Sequence, residues 1–344
     1  MRNKRKFHFS EYFQSLLLLG VLLVLVVLLS IYSDAFMTGK NWMNILKNHM
    51  AHQLILAVGM TFVISTAGID LSVGSILALS GIILAFALNA GMAIPLAVAL
   101  ALFSAAAMGA VNGLLVANFR INPLIITLGS ASVFRGLAII VTGGTPIYGM
   151  PQEFLQLAKG DYWLPIPVLM AAVVLGAALV LSHCTKWGRY TLALGSNCEA
   201  LRRLGVNVAW QKVSVYALSG FLAGVATLII SARLNTAEAT AGSGMEMNAI
   251  AAVIMGGTLL SGGKSTLFGT TVACLLLSVI KNGLTMLSVD AQYQEFIIGM
   301  LLLLAVVVTD LRQKRLKRSG GDAAPGAAIP KSCSCDAGSD KKTV

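Results

Sequence analysis

Apolar runs long enough to cross a membrane follow one another along almost the whole chain. A membrane-spanning helix needs about 20 consecutive apolar residues. Scanning for such runs predicts ten spans, at residues 15–32, 52–67, 71–90, 92–117, 124–142, 165–184, 213–232, 248–262, 266–287 and 292–310. The second, third and eighth are the weakest, because only a few residues separate the second from the third and the eighth is short. Short, glycine-interrupted spans in transporters often mark broken helices at a working site.

Composition supports this pattern. The chain is 57% hydrophobic and 11% charged, whereas soluble domains carry about 25% charged residues. A soluble enzyme and a disordered protein are both excluded. The first apolar run follows basic residues as a signal peptide would, but no small-residue cleavage site follows it, so an uncleaved span is expected. The predicted fold class is an all-α polytopic membrane protein.

The formal net charge of +11 is distributed unevenly along the chain. If the N-terminus is cytoplasmic, 19 of the 25 Lys and Arg residues fall on the cytoplasmic side. The opposite side receives only Lys40, Lys47, Lys159 and Arg233, while Arg135 and Lys281 fall inside apolar runs. Cytoplasmic loops of membrane proteins carry this excess of basic residues. The charge therefore indicates topology, with both termini cytoplasmic, and predicts no nucleic-acid partner.

The loops are too short to hold an additional catalytic domain. We predict a cytoplasmic N-terminus at 1–14, a membrane domain at 15–310 with a cytoplasmic loop at 185–212, and a basic, disordered tail at 311–344. A nucleotide-hydrolysing domain needs a domain-sized length of chain. The segment 261–265 resembles a phosphate-binding loop, but Thr258 stands where that motif needs glycine, so a tight basic turn is predicted instead.

The sequence also lacks evident catalytic or ion-coupling groups. His49 and His52 are three residues apart and can share a helix face, but no third metal ligand lies near them in sequence. Secondary transporters usually carry acidic residues inside the membrane, and here the candidates are Asp70, between two spans, and Asp310, at a membrane exit. We therefore predict a pathway whose energy comes from a partner protein.

The first distinctive segment is Ala67-Gly-Ile-Asp70-Leu-Ser72-Val-Gly-Ser75. Asp70 and Ser72 are residue types that accept hydrogen bonds from backbone N–H groups two or three residues later, which predicts a helix cap at the membrane edge. A capped helix break also suits a position beside a transport pathway.

The second segment runs from Pro123 to Gly136. We expect Thr127, Gly129 and Ser132 to lie on one helix face, where small residues permit close helix packing or line a polar passage. Arg135 lies within the apolar run, so it needs a partner or contact with water. Structural pairing and a pathway role both remain open for it.

The third segment lies in the cytoplasmic loop, at 195–207. Ser196 and Glu199 fit a capping box, Arg202 and Arg203 fall in the last turn, and Gly205 suits the position after the helix end. A helix this short is not stable alone. We expect it to dock either on its own bundle or on a partner.

These segments together resemble the permease subunit of bacterial ATP-binding-cassette (ABC) importers for monosaccharides, the ribose, galactose and xylose group. Ala-Gly-Ile-Asp-Leu-Ser-Val-Gly-Ser at 67–75 matches the hallmark of that family, and 123–146 and 252–263 match two further segments. Gly299 and Asp310 fit its last span. The similarity covers residues 36–312, which is the whole membrane portion.

The resemblance implies a fold of about ten spans like that of the vitamin-B12-type importers, in the bacterial inner membrane. It also implies a paired permease, either two copies or two homologues, with membrane lipid around it. Two cytoplasmic ATPases would use ATP and Mg, and a periplasmic binding protein would deliver the solute. No cofactor or metal is expected on this chain itself.

By resemblance, the short helix in the cytoplasmic loop is the coupling helix that docks into the ATPase. Leu201 and Leu204 depart from the family pattern, in which small residues are more typical, and Lys264-Ser265 replaces a more usual Arg-Gly. The predicted coupling residues are Gly195, Asn197, Glu199, Ala200, Arg202, Arg203 and Gly205.

Two further sets of residues are predicted from position. Lys40, Lys159 and Arg233 are candidates for docking the binding protein, since acidic groups on a partner would complement outer-side cations. The candidate substrate-pathway residues are Asp70, Ser72, Asn112, Thr127, Ser132, Arg135 and Asn248. Three alternatives stay open at this point: a non-sugar solute such as a nucleoside or autoinducer, a secondary carrier working without an ATPase, and a membrane enzyme acting on lipid-linked sugars.

Overall fold

The computed structural model describes residues 4–119, 121–159, 165–290, 292–294, 296–300 and 303. Almost all of the regular structure is helical. The helices are α1 (Lys4–Tyr32), α2 (Gly39–Asn44), α3 (Ala51–Ser65), α4 (Val73–Asn89), α5 (Ile94–Asn118), α6 (Pro123–Thr142), α7 (Gln152–Lys159), α8 (Ile166–Cys184), α9 (Lys186–Ser196), α10 (Cys198–Arg203), α11 (Val208–Leu234), α12 (Met245–Met255) and α13 (Leu267–Met286). Two short strands, β1 (Ile147–Tyr148) and β2 (Thr236–Ala237), pair antiparallel.

Nine of the ten predicted spans coincide with helices of the structure. Residues 292–294 and 296–300 of the tenth are also helical, while its end, Asp310 and the predicted tail lie outside the described residues. Among the described residues, six helices are long and apolar enough to cross a membrane: Ser15–Tyr32 within α1, α5, α6, α8, α11 and α13. The spans predicted as weak correspond to the shorter helices α3, α4 and α12.

The helix α3 is short only because a π-helical turn at Ile45–Met50 separates it from α2. The residues at both junctions keep right-handed helical angles, so the helical path continues from residue 39 to residue 65. At 1.5 Å per residue this path is about 40 Å long. π-Helical turns occur frequently at functional sites, and this one contributes to the cavity described below.

Two glycine pairs bring α5 and α11 together at the centre of the bundle. Gly109 and Gly113 on α5 face α11, where Gly220 and Gly224 have the same spacing. A Cβ added to Gly109 would lie 3.0 Å from the Cα of Gly220, so the two backbones meet directly. Such small-residue spacing is a common way for membrane helices to approach closely.

Buried hydroxyl and amide groups also join helices that are distant in sequence. The hydroxyls of Ser80 (α4) and Thr227 (α11) are 3.0 Å apart, and those of Thr61 (α3) and Thr270 (α13) are 3.3 Å apart. Interhelical hydrogen bonds of this kind help to hold membrane bundles together. In contrast, α6 and α8 leave most of their apolar side chains uncovered by the chain, as helices that contact lipid or another subunit do.

Candidate functional site

The carboxylate of Asp70 lies at the centre of a buried hydrogen-bond network between α3 and α4. Its Oδ1 accepts from the backbone N–H of Ser72 at 3.0 Å and from the Ser72 hydroxyl at 2.5 Å. Its Oδ2 accepts from the hydroxyl of Ser219 on α11 at 3.2 Å. The Asn112 amide on α5 donates to the Ser72 hydroxyl at 2.6 Å. All four side chains are buried, so the hallmark segment is tied to α5 and α11.

The capping prediction for this segment is half confirmed. Asp70 accepts a backbone N–H two residues later, as predicted. Ser72, the N-cap residue of α4, makes no side-chain cap bond, so that part of the prediction is wrong. The reason is that the Ser72 hydroxyl donates to Asp70 and accepts from Asn112.

Thr127 on α6 also bonds the loop between α3 and α4. Its hydroxyl donates to the carbonyl of Ile69 at 3.1 Å and accepts from the N–H of Leu71 at 3.2 Å. Ser132 is exposed and its hydroxyl donates to its own helix, at Leu128. The two residues are five positions apart, which separates them by about 140° around a helix. The prediction that they share one face is therefore wrong.

Arg135 has the partner that its position in an apolar run requires. Its guanidinium donates to the carbonyls of Ala239 at 2.5 Å and Ala241 at 2.8 Å. These carbonyls belong to the segment between β2 and α12. Arg135 thus joins α6 to that segment, and the structural pairing considered from sequence is present.

A polar cavity of about 210 Å³ lies between the π-helical turn, α3, α11, α12 and α13. Six of its polar lining residues are His49, His52, Gln53, Arg233, Asn248 and Lys281. On the predicted topology this cavity is near the outer side, because α11 and α13 end there. Two of its lining residues, Arg233 and Lys281, are cations.

The predicted outer cations occupy different positions. Arg233 is partly buried in the cavity, and its guanidinium donates to the carbonyl of Asn48 in the π-helical turn. Lys40 is exposed at the beginning of α2. Lys159 is the last residue of α7, and its side chain is outside the described part of the chain. The structure therefore does not gather these three cations around the cavity.

At the end of α3 opposite the cavity, the chain contacts α9 and the turn between α12 and α13. The backbone N–H of Gly263, in the turn between α12 and α13, donates to the carbonyl of Ser65 at 3.0 Å. Gly195, near the end of α9, packs closely against Ser65 and this turn. A Cβ added to Gly195 would overlap the Ser65 carbonyl and lie 3.0 Å from the Cα of Gly262. Gly262 and Gly263 both have positive φ angles, which confirms the predicted tight turn. We call these contacts the α3–α9 junction.

The helix α10 begins with a different cap from the one predicted. Asn197 accepts the N–H of Ala200 at 2.9 Å, whereas the Ser196 hydroxyl donates to the Leu192 carbonyl. The predicted Ser196–Glu199 capping box is therefore wrong, because Ser196 still belongs to α9. Gly205 has a φ of 79° and follows the C-cap residue Leu204, as predicted.

One side of α10 packs on its own chain and the other is free. Leu201 is 3% exposed and packs with Leu194 and Val208. Leu204, in contrast, is 80% exposed. Glu199 pairs with Arg203 at 3.5 Å on the exposed side.

Sequence reasoning missed several residues that the structure brings to these sites. Ser219 and Tyr216 on α11 approach the Asp70 segment: a Cβ on Gly68 would lie 2.6 Å from the Tyr216 hydroxyl. The spacing of Gly220 and Gly224 could have pointed to Ser219, since these glycines mark the region of α11 that packs closely. Gln53 and Lys281 were missed as cavity residues. The position of Lys281 inside an apolar run was an available signal, whereas no local pattern identifies Gln53. Among the described residues no cluster of potential metal ligands occurs.

Comparison with known proteins identifies relatives along most of the chain. The family described as "Branched-chain amino acid transport system / permease component" matches residues 44–306. The chain is 42% identical to the ribose import permease protein RbsC of Escherichia coli (strain K12) over 85% of this chain and 92% of that protein. It is 40% identical to RbsC of Bacillus subtilis (strain 168), over 89% and 95%. It is 34% identical to the D-allose transport system permease protein AlsC of Escherichia coli (strain K12), over 90% and 96%. No solved structure matches the chain.

Proposed function

This chain belongs to the branched-chain amino acid transport system / permease component family, and from that membership we propose that it is the permease subunit of an ABC importer for a monosaccharide. The observation that carries the proposal is 40–42% identity to ribose import permeases over most of both chains. An allose permease is also a relative. The location is the bacterial inner membrane, in keeping with the bacterial import permeases among the relatives and with six helices apolar enough to cross a membrane.

The proposal includes the finer architecture implied by the resemblance. The chain would cross the membrane about ten times in a vitamin-B12-type arrangement, with both termini cytoplasmic. Two permeases would form the pathway, and the uncovered apolar surfaces of α6 and α8 leave area for lipid and for a second permease. The helical path at 39–65 supports a span count above six, because its length of about 40 Å exceeds the 30 Å hydrocarbon core.

The helix α10 is proposed to dock the ATPase, which would bind ATP and Mg. Leu201 anchors this helix on α9 and α11, while Leu204, Arg202 and Arg203 face away from the bundle. A short helix that is fixed on one side and exposed on the other suits a partner that moves it.

The helix α3 offers a direct connection between that docking site and the outer cavity. Ser65 contacts the α3–α9 junction, and His52 lines the cavity. They are 13 residues apart, or about 20 Å along one helix. In the proposed mechanism, closure of the ATPases displaces α9 and α10, and α3 transmits the displacement to the outer end of the pathway.

The remaining predicted residues keep narrower proposed roles. Asp70, Ser72, Asn112 and Thr127 would hold the break between α3 and α4 beside the pathway. Arg135 would fix α6, and Asn248 would contact the solute in the outer cavity. Ser132, which faces outward, would contact the second permease. Lys40 and Lys159 would meet acidic groups of the periplasmic binding protein.

Co-purification tests this assembly. The tagged chain, extracted from its native membrane in mild detergent, should bring down an ATPase and a solute-binding protein that mass spectrometry identifies. Isolation of the chain alone, together with gradient-driven uptake by that chain in vesicles, would favour the secondary-carrier alternative. The solute bound to the co-purified binding protein would separate a monosaccharide from an autoinducer, which is the cargo named for a relative in Photorhabdus luminescens.

A further inference from the structure

The outer cavity carries positive charge without a matching negative charge. Arg233 and Lys281 line it, and no Asp or Glu is among the described residues that do so. Within the described part of the chain, the ion pair found is Arg203–Glu199, at the other end of the molecule. The field inside the cavity therefore favours a negatively charged guest.

The cavity also holds a buried polar atom that no protein group satisfies. His52 is 8% exposed, and its Nδ1 has no hydrogen-bond partner. Buried polar atoms are nearly always paired, so an unpaired one needs an explanation. Because His52 lines the cavity, a guest in the cavity supplies the missing partner most directly.

The other polar groups suit hydroxyls. Gln53 and Asn248 each offer a carboxamide, which both donates and accepts hydrogen bonds. The volume of about 210 Å³ equals the space of roughly seven water molecules. It lies below the 300–1,000 Å³ of pockets for drug-sized ligands, so the guest is a small solute.

We propose that this cavity is the first solute site of the permease and that it takes a monosaccharide-sized polyol carrying one oxyanion group, a carboxylate or a phosphate. The inference rests on the proposed function and narrows its substrate class from monosaccharides to acidic ones. Arg233 and Lys281 hold the oxyanion, while Gln53 and Asn248 contact the hydroxyls. Arg233 is itself oriented by the carbonyl of Asn48, so it is positioned before the solute arrives.

An acidic side chain of the binding protein is the alternative guest. The two possible guests can be separated by leaving out the binding protein. A small solute can still bind the permease under that condition, whereas no side chain of the binding protein is available to enter the cavity. The test therefore begins without the binding protein.

The experiment measures equilibrium binding to the purified permease–ATPase complex in lipid nanodiscs. The probes are labelled gluconate, glucose, glucose 6-phosphate and inorganic phosphate. We expect gluconate or glucose 6-phosphate to bind at least tenfold more tightly than glucose, since charge-assisted hydrogen bonds are the strong ones. Binding of phosphate or glucose 6-phosphate without gluconate identifies phosphate as the oxyanion and also supports the site.

Lys281→Gln should reduce this preference about tenfold, and Lys281→Arg should retain it. Lys47→Gln is the matched control, because Lys47 lies in the same π-helical turn as His49 but does not line the cavity. Equal affinity for glucose, gluconate and glucose 6-phosphate, or no binding of any probe at millimolar concentration, would overturn the inference. So would Lys281→Gln slowing association of the binding protein while solute binding stays unchanged.

ATP-driven uptake by the same complex, measured after the binding protein is added, separates the two proposals. Uptake of a neutral sugar with no oxyanion preference in the cavity would leave the importer function standing and remove the acidic-solute inference. No ATP-driven uptake of any solute would instead remove the importer function.

Discussion

The hydroxyl of Ser219, on α11, donates a 3.2 Å hydrogen bond to the carboxylate of Asp70, which lies 149 residues earlier in the loop between α3 and α4. This contact fixes the hallmark segment to α11, the most buried of the six long apolar helices. The other carboxylate oxygen accepts a hydrogen bond from the Ser72 hydroxyl, which in turn accepts one from the Asn112 amide. The break between α3 and α4 is thus held from three helices, counting Thr127 on α6.

Asp70→Ala should destabilise the permease strongly. The substitution leaves the hydroxyl of Ser219 and the backbone N–H of Ser72 buried without an acceptor, and each unsatisfied group costs about 1–3 kcal/mol. Asp70→Asn keeps an acceptor oxygen for Ser72 and is expected to cost less. The unfolding midpoint in detergent measures both variants. A midpoint for Asp70→Ala equal to that of the unchanged protein would contradict the network.

This network shows where sequence reasoning succeeds and where it stops. The apolar runs predicted the helices because a membrane span is a local property of about 20 residues. The local bond between Asp70 and Ser72 could also be anticipated from residue type. The Ser219 partner could not, since a contact across 149 residues has no local signature.

The helix α10 illustrates the same limit at short range. Sequence indicated its position and its Gly205 terminus, but Ser196 and Asn197 are both good cap residues, and their order along the chain does not select between them. The extension of α9 to Ser196 makes that selection. The polar cavity is lined from at least five separate elements, and only Arg233 and Asn248 of its lining were predicted as functional residues.

Asn197→Ala should weaken α10, because it removes the acceptor for the Ala200 N–H. Loss of an N-cap costs about 1 kcal/mol, which is roughly a fivefold change in the local equilibrium. Amide hydrogen exchange at Ala200 and Leu204 should rise by that factor. Ser196→Ala is the matched control and should leave the exchange unchanged. Faster exchange in Ser196→Ala alone would restore the original capping-box prediction.

The two leucines of α10 should have separable effects. Leu204→Ala should leave the unfolding midpoint unchanged, since the side chain is 80% exposed, but weaken capture of the ATPase. Leu201→Ala should lower stability by about 2–5 kcal/mol, as buried leucine truncations do. Pull-down of the ATPase and thermal unfolding measure the two effects. Normal ATPase capture by Leu204→Ala would remove this residue from the docking surface.

Gly195→Ala should disrupt the α3–α9 junction. The added methyl group would overlap the Ser65 carbonyl, so α9 must move away from α3. We expect solute-stimulated ATP hydrolysis to fall while the ATPase still binds, because the docking surface of α10 is retained. Gly176→Ala on α8 is the control, since a Cβ there meets nothing within 4 Å. Equal stimulation in both variants would argue against transmission through this junction.

The most direct test of the importer assignment is solute uptake into proteoliposomes that contain this chain, with and without its ATPase. We expect uptake of a monosaccharide only when the ATPase, the binding protein and ATP are all present, and no uptake when the ATPase carries a catalytic mutation. Uptake by this chain alone, driven by an ion or solute gradient and independent of ATP, would show that the chain is not an ABC importer subunit.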